Sequence, residues 1–294
     1  MKHLLIQVFF FFVLIMMTCV ANARDVDDFG QLRQEIDFIL HLIAREDFDA
    51  GIYLLDRIDN QDSFLKDSLN YLSGWVMYRQ KKLEISAQKL LKVREESPVF
   101  HKSHFFGAYN LAHVGRHYDA QKTLTKIPVT SGGMHEAMQR FQLSGVALLQ
   151  NDFNEYHKQA SHFNGNFHVM AQQERNMEMH RQRLETARTP SPALAGILSA
   201  AVPGLGRVYA GKSSEGIISF LYLAAMGFTT YDFYRGGGAG SPMFIISASV
   251  TGIFYAGNIY GSAVAARRVN QEFRYEMEQR ILFDMHIPLR NAFN

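Results

Sequence analysis

The chain has 294 residues, enough for one or two domains, with 30 Lys and Arg against 28 Asp and Glu and a net charge of +2 at pH 7. So even a balance excludes a basic stripe for nucleic acid, and no acidic tract argues for disorder. The single cysteine, Cys19, falls in an apolar leader, so a processed chain holds no disulfide, cysteine zinc site or thiol nucleophile.

Residues 1–23 read as a secretory signal peptide. Lys2 and His3 give a positive start, Leu4 to Val20 is almost wholly apolar, and Ala21-Asn22-Ala23 is an A-x-A cleavage signature before the polar Arg24-Asp25. Cleavage is expected after Ala23. The alternatives are an uncleaved anchor and a lipoprotein built on Cys19, although Met16-Met17-Thr18 lacks the pattern that precedes a lipidated cysteine.

Residues 24–190 are expected to form a helical repeat domain. Phe48, Leu83, Tyr118 and Phe153 stand 35 residues apart, and six residues before each stand Leu42, Met77, Ala112 and Ala147. Each anchor ends a polar stretch, such as Arg45-Glu46-Asp47 or Gln150-Asn151-Asp152, with helix-like apolar spacing on both sides. The spacing predicts four helix–turn–helix units, and because no such unit buries its apolar face alone, they must stack. In the second unit Gly74 is small where two helices would cross. Leu83, Ala87, Leu90 and Val93 make one face there, and Pro98 ends the unit. The third unit keeps Gly115, Tyr118, Ala120 and Pro128. These positions resemble the tetratricopeptide repeat, whose period is about 34 residues. The resemblance implies a solenoid with a concave surface that binds a protein or peptide partner. The alternatives are repeats that only support the membrane part, and a plain helical bundle. Residues 169–188 mix Met170, Met177 and Met179 with Glu174, Arg175, Glu178, Arg181, Arg183, Glu185 and Arg188, the pattern of a solvated connecting helix.

Residues 191–268 read as a membrane domain of two or three helices. From Ser191 to Ala266 the only charges are Arg207, Lys212, Glu215, Asp232 and Arg235. Thr189-Pro190-Ser191-Pro192 breaks one helix and caps the next. Ala193 to Gly206 is apolar but only 14 residues long and contains Pro203, which suits a re-entrant or interfacial segment. Gly216 to Tyr231 is uncharged, and with its flanks reaches roughly 28 Å, close to a bilayer core. Arg235 to Gly240 is a glycine-rich turn, and Met243 to Ala266, about 36 Å as a helix, spans comfortably. Two spans joined by a short turn make a transmembrane hairpin. Gly257 and Gly261 form G-x-x-x-G, with Ala265 one turn on, which serves packing in the hairpin or a homo-oligomer through the membrane helices. Asn258 would seek a partner on a neighbouring helix, and Asp232 is either a functional ionisable group or an end-pair with Arg235. A cleaved leader places residues 24–190 outside the cytoplasm, and two spans would return Arg267, Arg268 and Arg274 there, against the positive-inside tendency. A third crossing by residues 193–210 removes that conflict and is the expected topology.

Pro203-Gly204-Leu205-Gly206-Arg207-Val208-Tyr209-Ala210-Gly211-Lys212 resembles the P-G-x-G-x-x-Y-x-G signature of small bacterial two-transmembrane-helix domains. Gly257-Asn258-Ile259-Tyr260-Gly261, with Ala265, Ala266 and Asn270, is similar to the closing motif of bacterial membrane domains found after tetratricopeptide-like regions. The resemblance covers roughly residues 192–272 and implies a membrane domain of unknown activity. Gly204, Gly206 and Gly211 would permit tight turns or close helix contact, and Tyr209 would sit at headgroup level. In the remaining 269–294, Val269, Phe273, Met277 and Ile281 recur every four residues. That is an amphipathic helix that continues the last span, lies on the membrane or packs on its own domain.

No catalytic constellation stands out. His113 and His117 are one turn apart, but Val114 stands where a zincin places its glutamate, and His101 and His104 read as packing or surface residues. The expected fold is all-α, a tetratricopeptide-like helix–turn–helix solenoid followed by a C-terminal transmembrane helical hairpin. The expected function is a non-enzymatic scaffold without a cofactor, set in the inner membrane of a bacterial envelope with the repeats in the periplasm. Its partners are a protein or peptide and membrane lipid, not nucleic acid. The alternatives are an accessory or pore-forming component of a transport or secretion system, and a metal-dependent activity at the histidine-bearing helices.

Overall fold

The computed structural model describes residues 26–58, 63–163 and 165–293. The expected signal peptide at 1–23 lies outside them. The described residues are helical, with no strand among them. They divide into two compact units, one from Met1–Arg181 together with Ile281–Asn294, the other Gln182–Arg280.

The first unit begins with four helix pairs. They are α1 (Val26–Ala44) with α2 (Phe48–Arg57), α3 (Ser63–Arg79) with α4 (Leu83–Leu90), α5 (Phe100–His113) with α6 (His117–Lys126), and α7 (Met134–Gln150) with α8 (Phe153–Ala160). Each pair closes through the same turn. Glu46, Lys81, Gly115 and Asn151 take left-handed backbone, with φ of 65°, 61°, 80° and 56°. In each turn the next residue's amide reaches back five residues, Asp47 to Leu42, Lys82 to Met77, Arg116 to Leu111 and Asp152 to Ala147, at 2.9–3.0 Å. The left-handed residue's own amide bonds three residues back, which completes the Schellman ending of the first helix. Asp47 and Asp152 then cap the second helix by accepting from the Ala50 and Glu155 amides.

The four left-handed positions are spaced 35, 34 and 36 residues, so the even 35-residue ruler slips in the third pair. Phe48, Leu83 and Phe153 are each the first residue of a second helix, whereas His117 holds that place in the third and Tyr118 follows it, 73% exposed. The second helix of one pair packs on the first helix of the next, α2 on α3, α4 on α5 and α6 on α7. Leu90, Phe105, Phe106, Leu124, Met138, Phe141 and Tyr156 fill the core. Gly74 is where α3 receives α4, because a Cβ there would stand 2.6 Å from Leu90 Cγ. A buried chain crosses between pairs, Asn110 Nδ2 donating to Ser86 Oγ at 2.9 Å and Ser86 to the Gly74 carbonyl at 2.6 Å. α9 (Ala171–Thr186) follows, its residues through Arg181 within this unit.

In the second unit Ser191 caps α10 (Pro192–Ala201), with Pro192 at its first position. Val202, before Pro203, is extended and ends that helix. Gly204, left-handed at φ 82°, starts α11 (Leu205–Tyr209), and Gly211 ends it with the same Schellman pair of bonds seen four times earlier. α12 (Ser213–Gly237) and α13 (Pro242–Phe293) follow, α13 contributing to this unit as far as Arg280. Residues 193–210, expected as a third crossing, do not form one helix of spanning length. α10 has 10 residues, about 15 Å at helical rise, and the chain then doubles back. Gly206 N donates to Ser199 Oγ at 2.9 Å, and the Ser191 amide donates to Tyr209 Oη at 3.2 Å, so the segment returns to its start. Among the described residues one helix, α13, is long and apolar enough to cross a membrane, and only 6% of its apolar window is buried.

Candidate functional site

The last turns of α13 lie in the first unit, against α3, α5 and α7, the first helices of three pairs, and α9. The amphipathic period continues there. Ile281, Leu282, Met285 and Leu289 are buried, while Phe283 and Arg290 are exposed. Six contacts, to three residues of the segment, fix the register. On α9, His180 Nε2 donates to Asp284 Oδ2 at 2.7 Å and Asn176 Nδ2 donates to Asp284 Oδ1 at 2.8 Å, with both His180 and Asp284 buried. On α7, Gln142 Nε2 donates to the Met285 carbonyl at 2.7 Å. Gly145, one turn on, is open where a Cβ would stand 2.5 Å from Met285 Sδ, so the missing side chain makes the slot for the methionine. On α3 and α5, Tyr78 hydrogen-bonds His286 Nε2, and the His286 ring stacks on Tyr109 at 5.2 Å between centroids. Beyond it, Phe293 lies beside Phe105, Phe106 and His135.

The electrostatics of the groove follow from burial. Burial lowers the His286 pKa, and Arg290 and His113 add to that, so the ring is held neutral between two tyrosines. Burial likewise pulls the Lys102 ammonium down to about 8, where it sits over the rings of Tyr71 and Trp75. Two polar atoms of the groove stay buried and unpartnered, Gln142 Oε1 and His180 Nδ1. Pro288 brings no amide to the helix, so the Asp284 carbonyl lacks its usual donor.

The residues singled out by sequence fall elsewhere. Phe48, Leu83, Tyr118 and Phe153 mark turns, not the groove. In the second unit the P-G-x-G motif is a backbone contact. A Cβ on Gly204 would overlap the Gly216 carbonyl oxygen, and one on Gly206 would overlap that of Ala195. Gly216, opposite Gly204, meets the same limit, and nothing in the linear motif points to it. Gly211 meets no neighbour and is needed for its φ of 83°. Pro203 ends a helix, and the Tyr209 hydroxyl ties the doubled-back segment together. Of the G-x-x-x-G pair, Gly257 faces open space and Gly261 backs onto the Arg207 guanidinium. Asn258 is buried with neither amide atom partnered, one turn from Ser262, which donates to the Asn258 carbonyl and accepts from Ser199. Arg207 Nη1 donates to Ser219 at 2.6 Å. Asp232 is exposed and makes no ion pair with Arg235.

His101 stacks on His135 at 4.1 Å and bonds the Pro128 carbonyl, and His113 lies edge-on to Tyr109. Among the described residues no three His, Cys, Asp or Glu are grouped to hold a metal. Comparison with known protein families, with curated proteins and with solved structures finds no match to this chain.

Proposed function

We propose that the protein is a membrane-anchored scaffold of the bacterial envelope, a tetratricopeptide-like solenoid that binds a helical segment of a protein partner on the exported face of the inner membrane. The observation that carries this is the occupied groove. Three first helices and α9 offer one wall, and that wall holds an amphipathic helix through a carboxylate receptor, a methionine slot and an aromatic clamp.

The anchor is a two-span hairpin with a re-entrant α10–α11 segment. Supporting it, Thr230 pairs with Thr251, Tyr222 with Phe254 and Tyr234 with Phe244, so α12 and α13 lie side by side in opposite directions. Their outward residues, Ile218, Leu221, Phe228, Ile246, Ile253 and Tyr260, are large, apolar and exposed, which suits lipid and not water. Residues 26–181 and 281–293 fold in one unit, so the chain between them crosses an even number of times. Arg267 and Arg268 then lie on the exported side, because a long exported domain overrides the loop-charge tendency. Lys212, on that side as well, is paired with Glu272 at 3.8 Å.

The experiment is site-specific photocrosslinking of the full-length protein in native membranes, with the reactive residue at Tyr78. Adducts to one discrete protein, at sites within one helical segment of it, are expected. Adducts confined to the chain's own peptides would overturn the scaffold.

A further inference from the structure

We propose that residues 281–293 are a resident stand-in for the partner, and that the partner is an amphipathic helix with the same signature. That signature is an apolar pair, then a carboxylate followed at once by a long unbranched apolar residue, then an apolar residue one turn later. This deepens the scaffold reading and rests on it. In the resident the positions are Ile281-Leu282, Asp284-Met285 and Leu289, all buried. The groove supplies a counterpart for the carboxylate, for the methionine and for the backbone between them and the next turn. His180 and Asn176 grip the carboxylate with two hydrogen bonds. Gly145 leaves the room that the flexible Met285 thioether fills, since a Cβ there would stand 2.5 Å from its sulfur. Gln142 reads the backbone of the following turn.

Three features mark this helix as exchangeable rather than as fixed core. The stretch that leads into it, Arg267–Arg280, is charged and mostly exposed, with Met277 its one buried residue. Pro288 leaves one helical hydrogen bond unmade within the docked turns. The resident also leaves Gln142 Oε1 and His180 Nδ1 buried without partners, where an unmade hydrogen bond is costly. A helix offering a donor to Gln142 would therefore bind better than the resident. The resident belongs to the same chain as the groove, so a free competitor meets a groove that is closed until the segment lets go.

The test uses full-length protein in detergent and a fluorescein-labelled peptide of residues 281–293 as probe. Met285→Glu drives the resident out of its slot, and this variant is expected to bind the peptide at least about tenfold tighter than the unaltered chain does. Adding Gly145→Met, which fills the slot, is expected to abolish that gain. A second measurement covers the case in which Met285→Glu unfolds. Leu289→Cys in a Cys19→Ser background is buried in the docked state, and its maleimide labelling rate is expected to rise with excess peptide. A folded Met285→Glu variant that ignores the peptide, or a Leu289→Cys rate unmoved by saturating peptide, would overturn the proposal. The scaffold would still stand on its crosslinks. Met285→Glu at dimer mass by light scattering, with the peptide excluded, would assign the groove to a second copy and overturn it equally.

Discussion

The two units bury opposite kinds of residue. In the first, the most deeply buried side chains are large, Phe105, Phe106, Phe141, Met138 and Tyr156, and the polar residues that join them are mostly bonded. In the second, the buried positions are mostly small or polar, Ala195, Ser199, Gly206, Asn258, Ser262 and Ala266, with Leu223 and Met277 the large exceptions, and most large apolar residues of α12 and of the first part of α13 are exposed. Water explains the first arrangement through apolar burial. It does not explain the second, whose helices hold together through small-residue contact and interhelical hydroxyl bonds, the terms that would be left in the lipid proposed around it.

Large side chains should therefore matter in one unit and hardly in the other. Phe141→Ala is expected to cost about 3–5 kcal/mol in thermal or denaturant unfolding, because it empties a fully packed site. Phe228→Ala, 73% exposed on α12, is expected to stay within about 0.5 kcal/mol in micelles. Small side chains should show the reverse. Gly206→Ala is expected to cost about 2–3 kcal/mol, since its methyl meets a backbone carbonyl that cannot swing aside. Gly257→Ala faces open space and gains helix propensity, so a neutral change or a gain of up to about 1 kcal/mol is expected. Equal costs at the two glycines would remove the distinction between the units.

Charge sharpens the comparison within the first unit. The His286 pKa is lowered in the docked state, chiefly by burial, with Arg290 and His113 near it and Tyr78 and Tyr109 against the ring. The undocked segment therefore takes up a proton first, and docking weakens as pH falls below about 6.5, down to the docked pKa. Hydrogen exchange over 281–293 is expected to quicken across that window, and His286→Gln to flatten the response. The smallest expected effect lies in the turns. Lys81 is left-handed with a side chain that disfavours it, so Lys81→Gly is expected to stabilise the unit by about 0.5–1 kcal/mol, read as a shift in unfolding midpoint.

Local pattern made much of this legible. Polar turns ahead of Phe48, Leu83 and Phe153 reported four helix pairs, because left-handed helix endings need short polar stretches at fixed offsets. Tyr118 misled by one position, since Gly115 sets a turn one residue earlier than an even period allows. The near absence of charge from Ser191 to Ala266 marked a unit with an apolar exterior. The short run around Pro203 suited a segment that doubles back, and only the loop-charge argument favoured a crossing. The groove was not legible, because its pairs are remote. Gln142 and Met285 are 143 residues apart and Tyr78 and His286 are 208 apart. One signal was present in the chain: Asp284 interrupts an apolar helical face, and a carboxylate there needs a receptor.

The most direct measurement is the sidedness of the chain on either flank of the second unit. Arg188→Cys, Gly238→Cys and Phe283→Cys, each exposed and each in a Cys19→Ser background, would be labelled with a membrane-impermeant maleimide on spheroplasts. Arg188→Cys and Phe283→Cys are expected to react from outside and Gly238→Cys only after permeabilisation. Reaction of Arg188→Cys and Phe283→Cys from opposite faces would contradict a two-span anchor and the shared fold of residues 26–181 with 281–293.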